Sequence, residues 1–171
     1  WRPDGPGYVT LSVLDAEGSA ASFTERGGDG VVLRFAGFYG PDAMLRDMVG
    51  IAKKEWAPLP GAANAYWSSV SHDDAACAVI ASLGVPAGIY NVCDDDPLTR
   101  REWLDTVADA IGAKHPPLMP RWLAALGGSS MELLSRSERM SNAKLKSASG
   151  WTLRWPSARE GVPAAIRALA A

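Results

Sequence analysis

Residues 31–41 read VVLRFAGFYGP, a nearly continuous apolar and β-branched run closed by a Gly-Pro corner. The run at 31–36 suits a strand buried on both faces, as in the middle of a parallel sheet. GFYGP at 37–41 then reads as the turn. A second run of this kind, GIYNV at 88–92, predicts a second buried strand, and residues 66–70 read as a third, shorter one. Helical patterns fill the intervals. Met44, Met48 and Ile51 recur at helical spacing. Ser71 stands three residues before Asp74 in a capping-box-like arrangement, and AACAVIASL carries that helix to Gly84.

The same reading extends outward. The first ten residues, WRPDGPGYVT, are rich in Gly and Pro and read as a loop; 11–26 turns helical, and Gly27-Gly28 supplies a left-handed stop. Thr99 and Glu102 form a capping box, with Trp103, Val107 and Ile111 lining the helix that follows. Beyond Pro116-Pro117 short helices are expected at 120–127, 129–137 and 141–148. Ser157 and Glu160 mark a last box, before a helix that Pro163 should kink or delay. Helix, strand, helix, strand, helix indicates an α/β fold with parallel pairing. Two or three strands are too few for a free-standing doubly wound sheet, so the sheet is expected to continue upstream of Trp1.

Composition narrows the function classes. The chain is 47% hydrophobic and 21% charged, which is ordinary for a globular domain. A net charge of −2 with no Lys/Arg stripe leaves no field to hold a nucleic-acid backbone, so none is expected as a partner. No apolar run approaches the roughly 18 residues of a membrane span, and no signal-peptide pattern is present, so no membrane partner is expected. The chain begins at Trp1 without a methionine, as a fragment, a processed product or a trimmed piece would. Cys77 and Cys93 both sit in apolar stretches and read as buried free thiols, with a disulfide or a metal pair as the alternatives. With the absent signal, they point to a cytoplasmic setting.

Motifs that could carry chemistry are few. Gly27-Gly28-Asp29-Gly30 follows a helix and precedes a strand, the wrong polarity for a pyrophosphate-binding turn, and no P-loop is present. Ser141-Asn142-Ala143-Lys144 matches Ser-x-x-Lys without its usual companions and reads as a serine capping the helix that holds Lys144. Ser71-His72-Asp73 looks like a triad, yet three consecutive residues cannot point at one another, and a helix cap accounts for them. Asp94-Asp95-Asp96 reads as a solvated turn before the Thr99 cap, a cation site being the alternative; no metal is expected. His115, beside two prolines, reads as an exposed loop residue. Arg34, within its strand, either pairs with a carboxylate of the scaffold or faces a ligand.

Four segments, VVLRFAGFYGP, WSSVSHDDAACAV, GIYNVCDDDPLTRREWLDTVADAIG and RMSNAKLKSASGW, stand in an order and spacing that resemble the C-terminal half of extended short-chain dehydrogenases/reductases, the NAD-dependent epimerase/dehydratase family. The resemblance runs from about residue 12 to residue 161. It implies the C-terminal part of a Rossmann-like parallel sheet plus a small, mostly helical substrate-binding domain. Residues 1–40 would be the tail of the Rossmann-like domain and 41–171 the substrate side, with 71–93 returning to the sheet. It also implies NAD or NADP as cofactor, held with residues upstream of this chain, and a small-molecule substrate.

Roles follow position by position. Tyr8 stands near the place of the family's tyrosine acid/base, but Ser12 or Val13 occupies the place of the lysine that lowers its pKa. Ala36, Gly37 and Phe38 fall in the loop that meets the nicotinamide, with Gly37 where an asparagine is common. Tyr39, Tyr66 and Trp67 fall on the substrate side, with Trp67 where sugar-nucleotide enzymes place an arginine on the diphosphate. A tryptophan there favours a smaller or more apolar ligand than a sugar nucleotide; the alternative is that Trp67 simply packs against the small domain, with Trp56 as a partner. The implied function is the substrate-binding portion of an NAD(P)-dependent oxidoreductase or epimerase; the alternative is a catalytically silent NAD(P)-sensing or scaffold protein. The resemblance also implies a homodimer through a helix face carrying Val13, Ala16, Ala20 and Phe23.

Overall fold

The computed structural model describes residues 6–54, 62–118 and 136–169, with side chains from residue 12 onward. In chain order the elements are α1 (Pro6–Glu25), β1 (Val31–Phe35), β2 (Gly37–Tyr39), α2 (Ala43–Lys53), β3 (Tyr66–Trp67), β4 (Ser69–Ser71), α3 (His72–Ser82), β5 (Gly88–Val92), β6 (Leu98–Thr99), α4 (Arg100–Ala110), α5 (Ala143–Ser149) and α6 (Ala158–Leu169). The helix expected at 120–127 and most of the one at 129–137 lie outside the described residues.

Parallel pairing holds. β1 lies beside β5 in parallel, from Val31 opposite Gly88 to Phe35 opposite Val92. The sequence reading of this pair needs one correction: β1 is half-buried rather than covered on both faces, because among the described residues only β5 flanks it. In β5 the faces separate, with Tyr90 and Val92 buried and Ile89 exposed. GFYGP is not all turn either. Gly37–Tyr39 forms β2, parallel to β4, and the corner proper begins at Gly40. The strand expected at 66–70 divides at Ser68: Tyr66–Trp67 runs antiparallel to β6, and Ser69–Ser71 joins β2.

Local capping chemistry sets most boundaries. α1 starts within the stretch read as a loop, because proline fits the first helical position, where its missing N–H is not needed. It ends in a Schellman turn at Gly27 (φ 90°), with the Gly28 amide donating to Phe23 O (3.1 Å) and the Gly27 amide to Thr24 O (2.9 Å). The Asp74 amide donates to Ser71 Oγ (3.0 Å) at the start of α3, and the Thr99–Glu102 box is complete at the start of α4. Asn142, not Ser141, occupies the cap position of α5; Ser141 Oγ accepts only a long 3.4 Å bond from the Ala143 amide. Pro163 neither delays nor ends α6, which runs through it to Leu169.

Two clusters fill the interior. Tyr39, Leu45, Leu98, Trp103, Val107 and Val162 pack between α2, α4 and α6. Val70, Ala78, Tyr90, Val92, Leu145 and Trp151 pack beneath β1 and β5, against α3 and α5. Arg34 is exposed rather than buried and forks onto Glu17 of α1, with Nε to Oε1 and Nη2 to Oε2 both at 2.7 Å, so its partner is a carboxylate of the scaffold. Both cysteines are free, but only Cys93 is buried; Cys77 lies exposed on α3.

Candidate functional site

The carboxyl ends of β1 and β5 are where an open parallel sheet receives ligands. Here the Ala36 amide donates to Val92 O (3.0 Å) and the Gly37 amide to Ser68 O (3.1 Å), so the backbone leaves β1 and enters β2 without a loop between them. Ala36 is buried and Gly37 half-buried. Gly37 and Trp67 are brought together: a Cβ on residue 37 would stand 2.8 Å from Trp67 Nε1, closer than packed atoms allow.

Trp67 is held from α4. Its ring stacks on that of buried Trp103 (centroids 5.1 Å apart, planes at 25°), and the Arg100 guanidinium lies 5.4 Å from its centre. Arg100 is itself only 4% exposed. Its Nη2 donates to Arg136 O (2.9 Å), its Nε has no partner among the described residues, and burial lowers its pKa against the pull of Glu138. Residues 136–140 close the strand from outside, with Ser68 Oγ donating to Glu138 O (3.0 Å) and accepting from the Met140 amide (2.9 Å). Tyr66, on the opposite face of the strand from Trp67, carries Arg139 over its ring at 4.9 Å.

The other expected positions stand apart from this pair. Phe38 is exposed and leans on Phe35 (5.3 Å) and His72 (6.0 Å), whose Nε2 lies 3.4 Å from Asp42. Tyr39 is buried in the α2–α4–α6 core, its hydroxyl without a partner among the described residues and its pKa raised by burial and by Asp74 and Asp94. Gly161 must be glycine for that ring to fit, since a Cβ there would strike the Tyr39 hydroxyl. Tyr8 lies in the first turns of α1, and its side chain is outside the described ones. A separate cleft of about 210 Å³ opens between α6 and the start of α3, lined by Tyr39, His72, Asp73, Arg154 and Trp155 among others.

The acidic run after β5 is a solvated turn at Asp95 and Asp96, which are exposed, but not at Asp94. Asp94 is 2% exposed, and burial pushes its carboxyl up to about 7 despite the amides of Ser69 and Ala158. Burial also raises Asp95, but hydrogen bonds from Lys146 and Asn142 outweigh it and leave that carboxyl lowered. The Asp95 and Asp96 amides donate to Pro156 O (2.9 and 3.2 Å), so the run fastens α6 to the end of β5. Among the described residues no group of three His, Cys, Asp or Glu is placed to hold a metal ion. Asp109 and Asp105 raise the pKa of exposed His115.

Sequence reasoning missed Arg100 and Trp103 as supports of Trp67. The signal was present: both sit one turn apart just after the Thr99 cap, the arginine on the face that Trp103 and Val107 mark as buried.

No family model matches the chain. A curated relative, the 3-diazoavenalumate denitrifying reductase of a Streptomyces species, is 32% identical over 139 residues, covering 78% of this chain and 46% of the reductase. The chain therefore spans about half the length of that relative. Among solved structures, a human epimerase family protein with NADPH superposes with a TM-score of 0.71 at 17% identity, covering 82% of this chain and 50% of that one. The UDP-glucose 4-epimerase of Thermus thermophilus, in complex with NAD, gives a TM-score of 0.68 at 24% identity, covering 90% and 51%.

Proposed function

The chain has the fold of the C-terminal half of an extended short-chain dehydrogenase/reductase, and from that premise we propose that it is the substrate-side portion of an NAD(P)-dependent oxidoreductase or epimerase whose substrate is small and is not a sugar nucleotide. The observation that carries the reading is Trp67, an indole set against Gly37, at the position where the family resemblance implies the arginine of sugar-nucleotide enzymes. The relative named for a diazo compound, 3-diazoavenalumate, points the same way.

The residues present fit one side of the cofactor. Ala36 and Gly37 stand at the carboxyl end of β1, the edge at which an open parallel sheet receives its cofactor. The pyrophosphate cradle is a different matter, since Gly27, Gly28 and Gly30 serve a helix end and a turn. It belongs to the part of the relatives' length that this chain does not span. NAD(P), when bound, gives or takes a hydride at its nicotinamide. Ala36, Gly37 and Phe38 would border the ring, Trp67 would border the substrate, and Tyr8 would hold the proton. Residues 1–40 belong with the cofactor domain and 41–171 with the substrate side. The exposed Val13 and Phe23 of α1 leave a face for a homodimer.

Ser12 or Val13 in place of the lysine supports a second reading, a protein that binds NAD(P) without turning it over. Full-length protein is incubated with NADPH and a panel of small aromatic acceptors or sugar nucleotides, and loss of reduced-cofactor absorbance is followed. The expected result is oxidation with an aromatic acceptor that Tyr8→Phe abolishes. Turnover of a sugar nucleotide would overturn the first reading, and cofactor binding without any turnover would establish the second.

A further inference from the structure

We propose that Gly37 and Trp67 form a single specificity element, in which the indole fills the space a side chain at residue 37 would occupy and offers the substrate one neutral N–H donor in its place. The proposal rests on the reading of this site given above and adds to it the chemistry of the group recognised: an uncharged, acceptor-bearing moiety.

Three observations converge. The first is steric. A Cβ at residue 37 would meet Trp67 Nε1 at 2.8 Å and Trp67 Cδ1 at 3.6 Å, with Ser68 O at 3.4 Å, so the pyrrole edge of the indole, not backbone, is the nearest obstacle. A side chain at 37 and an indole at 67 exclude each other, and the two positions must change together. The second is orientational. Stacking on Trp103 and the Arg100 guanidinium fix the ring plane, and the hydrogen bonds of Ser68 to Glu138 and Met140 fix the strand beneath it. Binding would then cost little side-chain ordering. The third is chemical. Among the described residues no group hydrogen-bonds to Trp67 Nε1, although it lies at the carboxyl edge of the sheet, where ligands bind.

The neighbouring charges do not turn this into a phosphate clamp. Arg100 is buried against the ring with Nη2 bound to Arg136 O, and Arg139 lies over Tyr66 on the other face of the strand. A single neutral donor is about half as strong toward an anion as a charged, forked one, and it carries no preference for diphosphate. Toward a carbonyl or similar uncharged acceptor it supplies one directed hydrogen bond, the face of the indole being stacked on Trp103 already.

Two measurements on this chain test the proposal. In the first, Gly37→Ala is made in the native background and with Trp67→Leu, and Tm is read for all four proteins. Gly37→Ala should lower Tm by several degrees beside tryptophan and by much less beside leucine. An equal loss in both backgrounds would overturn the coupling whatever the protein binds. In the second, the Trp67 indole N–H resonance, assigned through Trp67→Phe, is followed while methyl coumarate or UDP-glucose is added. It should move with methyl coumarate and stay still with UDP-glucose. Movement with UDP-glucose, or stillness with both probes, would overturn the donor role. The cofactor-turnover assay answers separately whether the wider reading of the protein survives.

Discussion

The α2–α4–α6 cluster and the β1–β5 cluster are built from similar residues but finished differently. Around Trp103, Val107 and Val162, α2, α4 and α6 enclose the core among the described residues, apart from the cleft between α6 and the start of α3. At the sheet, β1 is only half-buried, Ile80 of α3 (70% exposed) and Leu83 just past its end (84% exposed) face outward, and α1 is exposed along nearly its whole described length. A closed core holds its own elements in place. A half-covered sheet presents an edge and a face, and it is at the carboxyl edge of this sheet that Gly37 and Trp67 meet. The rigid cluster thus serves as the anvil for the site: Trp103, a core residue, is the surface on which Trp67 rests.

The largest effect should follow from breaking the closed side. Trp103→Ala removes a buried ring and the stack under Trp67 together, and should cost about 3–5 kcal/mol of unfolding free energy. Ile80→Ala, on the open side, should change stability by no more than about 0.5 kcal/mol. Urea denaturation of both variants tests the contrast. If Ile80→Ala is as costly as a core truncation, the outer face of α3 is covered and the two regions are alike.

A smaller effect, in the seam between the regions, comes from Asp94. Its carboxyl is raised to about 7 by burial, above the ~3.9 of an unfolded chain. A raised acid binds its proton more tightly when folded, so its contribution is fully present below about pH 4 and is lost as pH rises through about 7. Asp94→Asn keeps the shape without the titration. Relative to the native chain it should gain on the order of 2–4 kcal/mol between about pH 4 and pH 8. Denaturation midpoints across that range decide it, and parallel curves for the two proteins would show that the carboxyl is not held as described.

What could be read from the sequence was what local chemistry dictates. GIYNV became β5 residue for residue, the Ser71 and Thr99 caps opened their helices, and Gly27 closed α1, because each signal acts within one turn of chain. Readings that depended on distant neighbours went astray. Gly37–Tyr39 looked like a turn because its partner, Ser69–Ser71, lies 32 residues further on in register. Three consecutive aspartates looked solvated because nothing local reveals that α6 folds back over the first of them. At the site, the resemblance selected Gly37 and Trp67 separately, while their contact, and the support from Arg100 and Trp103, came only with the packing of α4.

The smallest effect concerns how α1 is attached. Its side-chain ties to the sheet region include the fork between Glu17 and Arg34 and the Gly30 amide donating to Thr24 Oγ1 (3.0 Å). The fork is well formed, and each partner shifts the other's pKa in the direction of the charged pair, Glu17 lowered and Arg34 raised, chiefly through the hydrogen bond. Arg34 is nevertheless open to solvent, where ion pairs are screened and hold two long side chains at an entropic cost. Arg34→Met should therefore leave the Tm of this chain nearly unchanged. It should also remove a weak salt dependence, so that native and variant curves converge at high salt. Melting curves at low and high ionic strength measure this directly. A large loss of stability that salt does not erase would mean that α1 is packed as firmly as the closed core, and the contrast between the two regions would then have to be drawn at β1 rather than at the sheet as a whole.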